Sequence, residues 1–248
     1  MMGLNPELGE YTANIQLATY DIDANCTLRP SALMRHCQEL CELHLACYGL
    51  THSKMAADGI IFVFTRAGLQ VNRWPGQHDV ITAKTRACGV VGVQFYREFE
   101  FSCGDELLAK VLQTSVVVSA TEHKLLRPKA FLEYGVGVGT NTGQRLERLS
   151  LPKEMALVGE RPVRYSDLDY NGHLNNSVYS DIFCDFVPGG MQGRMITDFQ
   201  IHYALESTEG EVLQIYREQQ GNTVLLRGVN PRGLCFECQG VIQKKNTK

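Results

Sequence analysis

Ser166-Asp167-Leu168-Asp169-Tyr170-Asn171-Gly172-His173-Leu174-Asn175-Asn176 has a diverged twin near the start of the chain, Tyr20-Asp21-Ile22-Asp23-Ala24-Asn25-Cys26-Thr27-Leu28. Asp21, Asp23 and Asn25 answer to Asp167, Asp169 and Asn171, and a helix-like segment follows each copy. Further on, Thr65-Arg66-Ala67-Gly68-Leu69-Gln70-Val71 can be laid against Thr197-Asp198-Phe199-Gln200-Ile201-His202-Tyr203, which sets Asp79-Val80 against Glu211-Val212. A chain that repeats itself in this way reads as two copies of one fold unit. The copies differ at two telling places: His173 stands against Thr27, and Glu206 against Trp74. If the motif carries chemistry, the second copy holds it, and the first has taken an apolar residue suited to line a pocket.

The second copy has the right groups for chemistry. In an extended segment alternate side chains share a face, which would gather Asp169, Asn171 and His173 and turn Tyr170 and Gly172 away. Gly172 allows backbone conformations that other residues resist. A helix start just beyond offers unpaired N–H groups to a developing oxyanion. The bland alternative is an Asx-rich loop that only caps a helix.

Composition narrows the class. The 248 residues, 44% hydrophobic and 21% charged, suit one large globular domain or two ordinary ones. A net charge of −3 gives no reason to expect nucleic acid or an anionic membrane as partner. No apolar run reaches the length of a membrane span. Met1 to Glu10 lacks the basic and apolar regions of a leader, and nine scattered cysteines suggest free thiols in a reducing cytosol. A cytoplasmic location is therefore expected.

The periodicity predicts a helix from Pro30 to Tyr48, with Leu33, Cys37, Leu40, Cys41, His44 and Tyr48 on one face and Gly49 at its stop. Strands are predicted at Ile60–Phe64, from Leu69, at Asp79–Ala87, Gln94–Phe101 and Leu107–Ala120. The glycine-rich, then polar stretch Lys129–Met155 reads as a connector. The second unit repeats the order: a strand near Glu160–Tyr165, a helix at Ser177–Phe186 ended by Pro188-Gly189-Gly190, then strands at Met195–Leu205, Glu211–Glu218, Thr223–Val229 and Leu234–Gln243. One helix plus a curved antiparallel sheet, twice over, is an α+β pattern.

These residues resemble the acyl-ACP thioesterases of plant and bacterial type. The likeness rests on Tyr20 to Gly49, on Phe64-Thr65-Arg66 through Trp74-Pro75 to Asp79-Val80, on Tyr165 to Asn176 with Tyr179, and on Tyr203-Ala204-Leu205-Glu206. It implies a tandem (double) hotdog fold: a first unit over residues 1–130 with an acyl-chain pocket, a connector over 131–156, and a catalytic unit over 157–248. It implies hydrolysis of a fatty acyl chain from acyl carrier protein, with Asp169, Asn171, His173 and Glu206 as the catalytic set. The partners it implies are an acyl carrier protein bearing a 4'-phosphopantetheine-linked chain and, in a homodimer, a second copy; no cofactor or metal is expected. Plant members often carry Cys after the Glu, whereas this chain has Ser207, which favours carboxylate-activated water over a thiol nucleophile.

A thioester needs only a water, a base and an oxyanion donor. Asp169 or Glu206 can activate water or attack directly. The preferred division makes Glu206 the base and Asp169 the group that fixes Asn171 and His173, with N–H groups near Asn175 and Asn176 facing the oxyanion. The acyl chain is expected to run into the first unit past Trp74, Leu33, Leu40, Val63 and Leu69, so that enlarging Ala32 or Ala67 would shorten the preferred chain. The spacing of Cys37, Cys41 and His44 fits a buried helix face better than a metal site. Arg66 and Arg73 read as surface charges. Two rival functions stand beside hydrolysis of acyl-ACP: an acyl-CoA thioesterase of the same fold, and a catalytically silent acyl-chain binding protein.

Overall fold

The structure, a computed structural model, describes residues 3–5, 9–141 and 143–245. Much of Met1–Glu10, and with it the reading that this segment is no leader, lies outside the described residues. No helix among the described residues is long and apolar enough to cross a membrane.

The first unit contains strands β1 (Gly3–Asn5), β2 (Glu10–Gln16), β3 (Ile60–Val71), β4 (Val80–Val91), β5 (Gln94–Cys103) and β6 (Glu106–Ser119), with helices α1 (Pro30–Ala46) and α2 (His52–Ala57). After α3 (Lys129–Leu132), the second unit brings β7 (Ala156–Pro162), α4 (Val178–Asp185), β8 (Arg194–Tyr203), β9 (Val212–Gln220), β10 (Thr223–Asn230) and β11 (Gly233–Lys244). The strands form one antiparallel sheet in the order β1-β2-β4-β5-β6-β3-β8-β11-β10-β9-β7. Apart from β1, the order reads the same outward in both directions from the β3–β8 pair, which is the double hotdog arrangement. At that seam Gly68 pairs with Gln200, while Arg66 faces His202 and Gln70 faces Asp198. Residues equated by the repeat thus meet across a pseudo-twofold axis.

α1 starts at Pro30, whose missing N–H costs nothing in a first turn. It buries Leu33, Cys37, Leu40 and Leu45, and Gly49 follows at φ 72°. Phe99 and Phe101 of β5 and Phe236 of β11 fill the core with less than 2% exposure. Each such ring contributes about 1.5–3 kcal/mol through burial. The second helix is only eight residues long, because Pro188 and the left-handed Gly189 and Gly190 follow closely.

Several expectations needed correction. Ile60–Phe64 and the segment from Leu69 are one strand with an irregularity between Phe64 and Arg66. Neither β2 nor α2 was foreseen. The connector is held against the sheet: Arg66 donates to the Leu146 carbonyl (2.6 Å), and the Gly89 N–H to that of Val138 (2.6 Å). Arg73 bridges Glu106 (2.8 Å) and Asp79 (2.7 Å) and so fixes the turn before β4.

Candidate active site

The two Asp-x-Asp-x-Asn stretches fold alike, hydrogen bond for hydrogen bond. Asp169 N–H donates to the His173 carbonyl (2.8 Å), and Asp23 N–H to that of Thr27 (2.8 Å). Asp169 Oδ1 accepts the N–H groups of Asn171 (2.8 Å) and His173 (3.3 Å); Asp23 Oδ1 accepts those of Asn25 (2.9 Å) and Thr27 (3.2 Å). Gly172 at φ 79° and Cys26 at φ 57° make the same left-handed step. The run is therefore a closed Asx turn rather than an extended strand, because its own aspartate captures two backbone donors. Tyr170 is not turned away as the alternation predicted: it lines the cavity described below, with its ring 4.8 Å from that of His52.

The register of Glu206 follows from the next bond. Leu174 N–H donates to the Ser207 carbonyl (2.7 Å), as Leu28 N–H does to that of Pro75 (2.7 Å), which sets Glu206 against Trp74. Glu211 accepts Thr208 N–H (2.9 Å) and pairs with Arg232 (2.7 Å), whose other nitrogen reaches the Glu206 carbonyl (2.6 Å). The Arg232 guanidinium holds the Glu211 carboxyl below the usual range. The backbone of Glu206 is thus pinned while its side chain stays exposed.

Below the motif, Arg161 grips Asp167 with two nitrogens (2.9 and 2.8 Å). Burial pushes the Asp167 carboxyl up, but Arg161 and the Arg164 N–H (2.9 Å) outweigh it and hold it low.

The first copy spends the counterparts of Asn171 and Glu206 on structure. Asn25 Nδ2 donates to the carbonyls of Met191 (2.9 Å) and Arg194 (3.0 Å), and its Oδ1 accepts Gly193 N–H (2.8 Å). Trp74 is buried and its indole donates to the Ile196 carbonyl (2.7 Å). From Gly172 to Val178, every backbone N–H except that of Asn176 has an acceptor among the described residues. Arg29 and Asn175 make matching bonds to Asp21 and Asp167 (2.8 and 2.9 Å), so the counterpart of Asn176 is Pro30, which has no N–H.

Asp169, Asn171, His173, Asn176 and Glu206 line one end of a cavity of about 470 Å³. No direct hydrogen bond among the described residues joins the side chains of Asp169, Asn171, His173 and Glu206 to one another. The lining continues over Tyr179, Tyr203 and Leu205 of the second unit and, in the first, over the C-terminal half of α1, α2, the start of β3 and Phe95 of β5, with Phe131 and Val136 to Val138 from the connector. The β3 residues that line it, Ile61 to Phe64, precede the stretch paired with β8, which begins at Arg66.

Of the residues expected to bind substrate, Val63 and Asn176 line this cavity. Trp74, Leu33, Leu40 and Leu69 do not: they are packed in the main core. Asn175 is spent on capping, its Oδ1 accepting the N–H (2.9 Å) and hydroxyl (2.8 Å) of Ser177. Sequence reasoning missed Tyr170 and α2 as walls of the site; the six-residue α2 is too short to show a period.

Comparison with known proteins bears on the same halves. The model of the acyl-ACP thioesterase N-terminal domain matches residues 9–127, and that of the C-terminal domain matches 152–230. The chain belongs to the acyl-ACP thioesterase family. A chloroplastic dodecanoyl-[acyl-carrier-protein] hydrolase of Cinnamomum camphora is 26% identical over 219 residues, covering 80% of this chain and 56% of its own length. A chloroplastic palmitoyl-acyl carrier protein thioesterase of Gossypium hirsutum is 25% identical over 224 residues, covering 82% and 54%. The chain spans about half the length of these curated relatives. Among solved structures, the 12:0-ACP thioesterase of Umbellularia californica superposes with a TM-score of 0.83 at 18% identity, covering 98% of this chain and all of that one. An acyl-ACP thioesterase of Bacteroides thetaiotaomicron gives 0.80 at 18% identity, covering 97% and 100%. At such identities the likeness shows the fold.

The curated relatives also correct the cytoplasmic expectation, for they are chloroplastic proteins. Unpaired thiols report reducing surroundings and do not say which compartment supplies them.

Cys41 is the cysteine that lines the cavity, and burial pushes its thiol up from its usual value. Little thiolate is available there. Alkylation with iodoacetamide at neutral pH should modify the exposed Cys26 and Cys47 and leave turnover within about twofold, the scale of a side chain outside the chemistry. Stoichiometric inactivation mapped to Cys41 and prevented by substrate would contradict this.

Proposed function

We propose that this chain hydrolyses fatty acyl-[acyl carrier protein], releasing the free acid. The observation that carries the reading is one cavity that Asp169, Asn171, His173 and Glu206 share with apolar side chains of the first unit such as Phe62, Val63 and Phe95. Glu206 takes a proton from a water, whose oxygen attacks the thioester carbonyl. The Asn176 N–H receives the oxyanion, with Asn171 and His173 as side-chain donors. When the C–S bond breaks, Glu206 returns its proton to the pantetheine sulfur. Asp169 acts as a positioning residue, because one of its oxygens already holds the turn that carries Asn171 and His173.

The residue ranges divide accordingly: the pocket belongs to 1–130 with help from the connector 131–156, and the chemistry to 157–248. Acyl carrier protein as thiol carrier, in preference to coenzyme A, belongs to the proposal. So does a homodimer, for which the solution mass of the purified chain is the test; a monomer would remove that element alone. Turnover of matched acyl-ACP and acyl-CoA substrates tests the reading. Hydrolysis of acyl-CoA alone would favour the first rival, and tight acyl binding without turnover the second.

Chain length should be set by residues on the cavity wall, not by Ala32 or Ala67, which are buried in the main core. Each excluded methylene forfeits about 0.8 kcal/mol. Ala87→Leu or Val138→Phe should therefore shift the released acids toward shorter chains. Ala67→Val should cost about 1–3 kcal/mol in stability through overpacking without altering the product profile. Profiles of the three folded variants check this; a shift with Ala67→Val only would sink it.

A further inference from the structure

The far wall of the cavity is polar. Arg97 on β5 pairs directly across from Gln113 on β6, so both side chains leave the same face of the sheet. One guanidinium nitrogen of Arg97 contacts His44 Nδ1 on α1 (2.9 Å) and Thr85 Oγ1 (3.1 Å). Arginine can only donate, so His44 Nδ1 accepts and Nε2 carries the hydrogen. Burial and Arg97 push His44 down to about 4, leaving a neutral ring near pH 7.

His44 is 3% exposed and Gln113 6%, yet among the described residues His44 Nε2 and Gln113 Oε1 have no hydrogen-bond partner. No carboxylate among the described residues pairs with Arg97. All three residues line the cavity. A chain of methylenes would leave a buried donor and a buried acceptor unsatisfied, which costs binding energy. A hydroxyl answers both, accepting from an N–H of His44 or Arg97 and donating to Gln113 Oε1. A carboxylate can only accept. β5 lies three strand positions from β8, roughly 14 Å at ordinary strand spacing. Glu206 follows β8 directly, so the cluster meets the chain well beyond the thioester.

We propose that the cavity selects an acyl chain bearing a hydroxyl remote from the thioester, received by Arg97, His44 and Gln113. The proposal rests on the thioesterase reading. The test uses the purified full chain and acyl-ACPs of one length: unsubstituted, hydroxylated at successive remote positions, and ending in a carboxylate. At least one hydroxylated chain should exceed the unsubstituted one about tenfold in kcat/KM, and that ratio should collapse in Arg97→Met and in Gln113→Leu. Equal or better turnover of the unsubstituted chain, preference for the carboxylate, or a ratio unchanged in both folded variants would overturn it. A second readout needs neither variants nor turnover: thermal stabilisation of the wild type by free hydroxy acids against unsubstituted acids of equal length. If no thioester is hydrolysed, the thioesterase reading fails, and this binding comparison still decides the polar wall. Stronger stabilisation by a hydroxy acid supports it; equal or weaker stabilisation refutes it.

Discussion

His173→Ala is expected to lower thioester turnover by about 100-fold or more, the usual loss for a positioned donor or base, in a protein that still folds. The residue is half-buried, lines the cavity and has no side-chain hydrogen bond among the described residues, while the backbone of His173 is held by Asp169 and by its bridge to Thr208. Removing the ring should therefore take away chemistry rather than structure. Thr27→Ala at the corresponding place in the first unit supplies the control. The Thr27 hydroxyl lies 3.2 Å from Asp23 Oδ1, so its loss should cost roughly 1 kcal/mol of stability and leave the rate near wild type. Rates for folded variants, with thermal melts alongside, check both halves. A near wild-type rate for His173→Ala would place the chemistry elsewhere.

The second large effect is expected from a change that removes one hydrogen atom from the backbone. Asn176→Pro should reduce turnover by about 10²–10³-fold, the scale of a lost oxyanion donor. Asn176→Ala keeps the N–H and should stay within about tenfold of wild type, having lost only a side chain. The first unit carries Pro30 at the matching position while keeping the same turn and the same Arg29–Asp21 bond, so this fold accommodates proline there. Single-turnover rates for the pair separate donor from side chain. Equal rates for the two variants would remove Asn176 N–H from the mechanism.

The duplication was legible in the sequence because it is carried by short patterns with fixed internal spacing. The opposition of Glu206 to Trp74 was read from the same alignment, and the paired bonds of Leu174 and Leu28 bear it out. The extended backbone and the turning away of Tyr170 were misread, because strand alternation ignores that aspartate can close its own turn. Of the side chains expected to line a pocket, Trp74, Leu33, Leu40 and Leu69 pack in the main core, while Val63 lines the cavity. Helical spacing identified Leu33 and Leu40 as inward-facing, yet one inward face serves both a solid core and a cavity. Which stretch is hollow depends on α2, on β3 being unpaired with β8 before Arg66, and on Phe131 from the connector. None of these leaves a periodic trace. Arg97 could not be told from a surface charge, since only pairing with Gln113 and contact with His44 show where it points.

The most direct test of the account is single-turnover hydrolysis of a fatty acyl-ACP by the wild-type chain and by Glu206→Gln, following release of the free acid. Glutamine preserves the shape of the side chain and the backbone bond from Arg232, and removes only the capacity to take a proton from water. The account predicts release by the wild type and a rate at least about 100-fold lower for a folded Glu206→Gln. Release by Glu206→Gln at the wild-type rate, or none from any acyl-ACP by the wild type, would contradict it.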